Sequence, residues 1–134
     1  MQVIFAVSDV GRSADFYERA FGWPRNDRID YEEYVELLPP DGGALGLYQR
    51  EGFADMVGAA PAEVPDGRVA PGYLYVRVDD VRTAAEAVAA AGGRPLSPLA
   101  SRSWGEEAAW FADPDGNVVA VAQVDEAEPA RLSQ

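Results

Sequence analysis

"VSDVGRSADFYERAFGWP", residues 7–24, has a second copy in "VDDVRTAAEAVAAAGGRP", residues 78–95, aligned without a gap at an offset of 78 − 7 = 71. Val7 meets Val78, Asp9 meets Asp80, Val10 meets Val81, Ala14 meets Ala85, Gly22 meets Gly93 and Pro24 meets Pro95. Each copy reads as the end of a strand, an acidic N-cap, an amphipathic helix and a glycine stop. Phe16, Tyr17, Ala20 and Phe21 form the apolar stripe of the first helix, and Ala84, Ala87, Val88 and Ala91 that of the second.

The match resumes downstream. "LLPPDGGALGLYQ" (37–49) aligns with "FADPDGNVVAVAQ" (111–123) at an offset of 111 − 37 = 74, so the second copy carries three extra residues in between. Both contain Pro-Asp-Gly, a hairpin turn whose glycine supplies the positive φ. Each half therefore reads β-α-β-β-β, with the last strand of the first half expected around Arg50 to Met56. The chain divides into a first module (1–57), an Ala-, Pro- and Gly-rich linker (58–71), a second module (72–125) and a tail (126–134) expected to fray. Together they make one domain of α+β class.

Composition narrows the chemistry. The 134 residues contain no cysteine and no histidine, and all 11 cations are arginines. A thiol nucleophile, a disulfide, a Ser-His-Asp triad, a Schiff-base lysine and a histidine metal ligand are excluded. Twenty-three acidic residues give a net charge of −12, which repels nucleic acid and anionic lipid and concentrates cationic ligands, besides aiding solubility. No apolar run approaches the ~20 residues that span a membrane. "MQVIFAVSDV" reads as a first strand rather than an export signal, so the cytoplasm is the expected compartment.

A duplicated β-α-β-β-β unit closing on "WFADPDGN" (110–117) resembles the vicinal oxygen chelate superfamily: glyoxalase I, extradiol dioxygenases, fosfomycin-modifying enzymes and bleomycin resistance proteins. "VSDVGRSADFYERAFGW" is similar to that family's first helix. The resemblance implies two modules forming a cup-shaped mixed sheet with the site inside the cup. It also implies a divalent metal held by one residue from the first and one from the last strand of each half. Carried over one by one, those positions are Gln2, Gly46, Tyr73 and Ala120, and the repeat agrees: 73 − 2 = 71 and 120 − 46 = 74. An amide, a phenol and two residues without a side-chain donor do not make a transition-metal site. No metal and no other cofactor is expected.

Strand alternation extends the set, because every second residue shares a face. Ile4 joins Gln2, Tyr48 joins Gly46, Tyr75 joins Tyr73 and Ala122 joins Ala120. The fosfomycin enzymes carry an aromatic four positions before the proline of "DPDG", here Trp110, and Ala108 shares its face. The offset of 74 makes Glu36 its counterpart, with Tyr34 beside it. Trp104, in "RSWGEE", sits where a lid would. Each aromatic is equally compatible with a filled core, but four tyrosine hydroxyls on one inner surface need partners that a ligand supplies. Small residues at 46 and 120 are expected to leave room. Arg12 reads as structural; Phe53 and Met56 suit a rim or a dimer contact; Glu32, Glu33, Glu106 and Glu107 read as solvated strand ends.

Three functions fit. The first is metal-independent sequestration of a bulky, partly aromatic and cationic or neutral small molecule. Antibiotic-binding resistance proteins of this family do this as acidic homodimers with ligands in the clefts between subunits, and a homodimer is expected here too. The second is a metal-free isomerase, cyclase or lyase using Glu36 and tyrosines as base and acid. The third is a protein-interaction subunit with a self-filled cavity.

Overall fold

Asp9 and Asp80 start the two repeat helices as the sequence predicts: their carboxylates accept the backbone N–H of Arg12 at 3.0 Å and of Thr83 at 3.1 Å. The computed structural model describes residues 1–29 and 31–125. In chain order the elements are β1 (Gln2–Val7), α1 (Val10–Phe21), β2 (Tyr34–Leu37), β3 (Ala44–Gln49), α2 (Arg50–Val57), β4 (Tyr73–Arg77), α3 (Val81–Ala90), β5 (Arg94–Ser101), β6 (Glu106–Ala112) and β7 (Val118–Val124). The tail expected at 126–134 lies outside the described residues. Gly22 closes α1 in the left-handed region (φ 70°), whereas after α3 that conformation falls on Gly92 (φ 107°), one residue before the glycine the repeat aligns.

Two mixed sheets result, ordered β1-β3-β2 and β4-β7-β6-β5. In each, the first strand runs parallel to the last, and the remaining pairs are antiparallel. The offsets of 71 and 74 hold in space: Ile4 lies opposite Gly46, and Tyr75 opposite Ala120. Both Pro-Asp-Gly turns join antiparallel strands, with Gly42 at φ 90° and Gly116 at φ 85°.

One element overturns its expectation. Residues 50–56 are not a strand but most of the helix α2. Both flanks of β3 are already occupied by β1 and β2, and the counterpart of β5 survives only as the bridge between Arg25 and Leu37. A strand directly after β3 has no adjacent edge to join. The segment coils instead and stops at Gly58 (φ 84°), packing Gly52 so close to Tyr48 that a Cβ there would come within 2.3 Å of the ring.

Helices α1 and α3 cover one face of the sheets. Val7, Val35, Leu37, Leu45 and Leu47 from the first module, and Leu74, Val76, Ala109, Phe111, Val119 and Val121 from the second, point to that face in strict alternation. Phe16, Tyr17 and Trp23 complete the cluster, with Phe21 stacked on Trp23 at 4.4 Å. Gln2, Tyr34, Glu36, Tyr48, Tyr73, Tyr75 and Trp110 sit on alternate positions of the same strands and therefore face the other way.

The modules are tied by α1. It packs on α3, and its Tyr17 hydroxyl donates to Asp113 Oδ2 at 2.6 Å, with both residues almost fully buried. Burial raises the pKa of the Asp113 carboxyl, although the backbone N–H groups of Asp115 and Asn117 also donate to it. Asp115 accepts from the N–H and hydroxyl of Ser8 and from the Ser13 hydroxyl at 2.8–3.0 Å. Arg12 bonds Ser8 Oγ and lies 3.6 Å from the same carboxylate, the structural role expected of it. Among the described residues no helix is long and apolar enough to cross a membrane.

We expect Tyr17→Phe to lower the unfolding free energy by about 1–3 kcal/mol, because it leaves a buried carboxylate short of a donor. Urea denaturation of parent and variant measures it; equal midpoints would contradict the role given to this bond.

Candidate functional site

The strand faces that turn away from α1 and α3 carry two clusters, one on each sheet. On the first, β1, β2 and β3 bring Gln2, Tyr34, Glu36 and Tyr48 together. Gln2 Nε2 donates to Tyr34 Oη at 2.6 Å and to Glu36 Oε1 at 2.5 Å, and the Tyr34 hydroxyl donates to the same Oε1 at 2.9 Å. Asn26 Nδ2 donates to Glu36 Oε2 at 2.8 Å. The Tyr34 and Tyr48 rings meet edge to face at 5.3 Å. Partial burial, and then the Glu36 carboxylate, push the Tyr34 phenol up to about 12, so it remains a hydrogen-bond donor at neutral pH.

On the second sheet, β4 and β6 assemble Tyr73, Tyr75 and Trp110, and the loop before β6 adds Trp104. Trp110 lies 5.9 Å from Tyr73, 6.2 Å from Tyr75 and 6.2 Å from Trp104 between ring centroids. Trp104 Nε1 donates to Tyr75 Oη at 2.9 Å; Trp104 is packed into this cluster rather than standing free as a lid. Tyr75 donates in turn to Glu106 Oε1 at 2.9 Å, and Arg77 pairs with Glu106 Oε2 at 2.7 Å. That bond to Arg77 holds the Glu106 carboxyl below its usual range. The Arg102 guanidinium covers Trp110, its carbon 4.9 Å from the ring centroid.

Three expectations need correction. The single lining becomes two clusters, with no hydrogen bond or ring contact between them among the described residues. Gly46 and Ala120 leave no room. A Cβ at residue 46 would fall 2.3 Å from the Tyr34 hydroxyl, so the glycine is the socket into which Tyr34 fits. Ala108, Ala120 and Ala122 are fully buried, on the same strand face as Trp110. Glu106 is no solvated strand end: it is 5% exposed and ion-paired. Phe53 and Met56 lie on α2, with Met56 exposed. Sequence reasoning also missed Asn26, Arg77 and Arg102. The repeat held a signal for Asn26, since Ser97 pairs with Trp110, and 97 − 71 = 26 just as 110 − 74 = 36.

A metal is the group this fold implies, and its donors do not fit here. The four ligand positions carry an amide, a glycine, a phenol and a buried methyl. Among the described residues no three Asp or Glu side chains converge.

Residues 2–121 match the model of the "Glyoxalase/Bleomycin resistance protein/Dioxygenase superfamily". The chain belongs to that superfamily. A "Glyoxylase-like domain-containing protein" of Didymella fabae is 31% identical over 98 residues, 70% of this chain and 68% of that one. Among superfamily structures, a glyoxalase-related enzyme from Fulvimarina pelagi superposes with a TM-score of 0.78 at 25% identity, covering 91% of this chain and 85% of its own. A glyoxalase/bleomycin resistance protein/dioxygenase family enzyme from Burkholderia phytofirmans PsJN gives 0.77 at 19% identity, covering 92% and 96%. The superfamily fold is thus confirmed.

We expect Gly46→Ala to expel the Tyr34 ring and break its bond to Glu36. Ultraviolet titration should then show the raised phenol pKa falling back toward 10; an unchanged titration would mean that Tyr34 is not seated on Gly46.

Proposed function

We propose that the protein binds a bulky, partly aromatic small molecule without a metal, in the manner of a sequestering resistance protein. The observation that carries this reading is the second cluster: four aromatic side chains in mutual contact, none in the core cluster, with Tyr73 57% exposed. A core would hide such rings; a flat ligand uses them. Arg102 already occupies one side of Trp110, so the ligand takes the other side together with Tyr73.

The site is completed by a second copy of the chain. Each sheet ends in an unpaired edge, β1 in one and β4 in the other, and a groove of about 990 Å³ lies between them. Val3, Leu45, Leu74 and Val76 line it, and Val3, Ile4 and Tyr73 are 37%, 41% and 57% exposed. Unpaired apolar edges invite strand pairing, and a two-fold dimer would set the first cluster of one copy beside the second cluster of its partner. Sedimentation at micromolar concentration should give a dimer; a monomer with and without ligand would count against this closure.

Acid–base catalysis at Glu36 has less support. Gln2, Tyr34 and Asn26 occupy three of its lone pairs, and the Tyr34 proton is already committed to it. The test of the binding reading is tryptophan quenching by flat aromatic compounds. Trp110→Ala should weaken binding by about 2–4 kcal/mol, the loss expected of a central aromatic anchor, and the bound compound should be recovered unchanged. Equal affinity in a folded variant would remove Trp110 from the site; turnover would make the protein an enzyme.

A further inference from the structure

We infer that the Gln2–Tyr34–Glu36 ring at the end of the first sheet is a receptor for an organic cation, an ammonium, amidinium or guanidinium group. The inference rests on the small-molecule reading above and names the class of ligand.

Hydrogen accounting carries it. Both hydrogens of the Gln2 amide are spent, one on Tyr34 Oη and one on Glu36 Oε1, and the Tyr34 hydroxyl hydrogen also goes to Oε1. Asn26 supplies one donor to Oε2, and its own Oδ1 is taken by the Arg28 N–H at 3.1 Å. On the Gln2–Tyr34–Glu36 ring itself what stays free is the Gln2 carbonyl oxygen, the second lone pair of Tyr34 Oη and one lone pair of Glu36 Oε2; the second amide hydrogen of Asn26 is the one donor left beside it. The ring thus offers acceptors only, and the Glu36 carboxylate brings negative charge. A ligand group that satisfies them must donate hydrogens, and a positive one gains most. The Tyr34 and Tyr48 rings, 5.3 Å apart, add aromatic faces that attract a cation.

No cation among the described residues answers the Glu36 charge. Among the described residues the ion pairs are Arg12–Asp115, Arg19–Asp15, Arg25–Glu18 and Arg77–Glu106; Glu36 is in none of them. Arg25, the neighbour of Asn26, is held by two bonds of 2.8 Å to Glu18. The second sheet contrasts sharply: its carboxylate, Glu106, has Arg77, and its Trp110 has Arg102. One half of the molecule neutralises its carboxylate and the other leaves it for a visitor.

Benzamidine and its neutral isostere benzamide separate charge from shape, and the neutral aromatic 1-naphthol reports the aromatic site alone. With the parent protein at low salt, benzamidine should bind at least tenfold more tightly than benzamide. The preference should shrink as salt is raised. Glu36→Gln should abolish it, while Glu63→Gln, on the linker and far from the ring in sequence, should leave it intact. Equal affinities in the parent overturn the inference without any variant, as does a preference that survives Glu36→Gln. Should those results come with Trp110-dependent binding of 1-naphthol, the aromatic-binding reading stands and only the cation receptor falls. Absence of naphthol binding would instead remove the aromatic reading, with benzamidine still deciding the ring.

Discussion

A buried phenol donating to a buried carboxylate holds the two halves in one arrangement. Tyr17 belongs to the first module and Asp113 to the closing turn of the second, and neither has solvent to fall back on. Asp115 repeats the link one step outward, through Ser8, Ser13 and Arg12. Neither half-sheet has an interior of its own: the core cluster draws on both modules and on the packed helices α1 and α3. The placement of the outward strand faces therefore depends on a contact made on the opposite side of the sheets.

Much of this was legible in the sequence because duplication lets one half check the other. The N-caps at Asp9 and Asp80, the two Pro-Asp-Gly turns and the shared faces of the repeated strands followed from period and offset, and the structure has them as read. The failures share a cause. A strand was expected at 50–56 because the repeat demanded four strands per half, although Gly58 offers the same helix stop that Gly22 does. The first module had in fact kept only a bridge at Arg25 where its twin has β5. Symmetry is good evidence for what two halves share and poor evidence for where they diverge.

The site shows the same limit in side chains. Period two put Tyr34, Tyr48, Tyr75 and Trp110 on one shared face of their strands, but it carries no information on whether small neighbours leave a void or form sockets. That depends on rotamers, and here large rings settle over small residues, as close packing favours. Nor does a linear pattern reveal that Glu106 meets Arg77 while Glu36 meets no arginine among the described residues, since spacing along a strand does not say which charges pair across it.

The fit of Tyr34 over Gly46 also couples any change between this site and a metal-bearing one to a change at residue 34. A carboxylate introduced at residue 46 strikes the phenol, so the larger side chain must shrink first. Shrinking Tyr34 first unties Glu36 from one of its three donors before any metal is there to use the space. Each step alone disturbs a contact that the present site uses, so residues 34 and 46 form one unit of change.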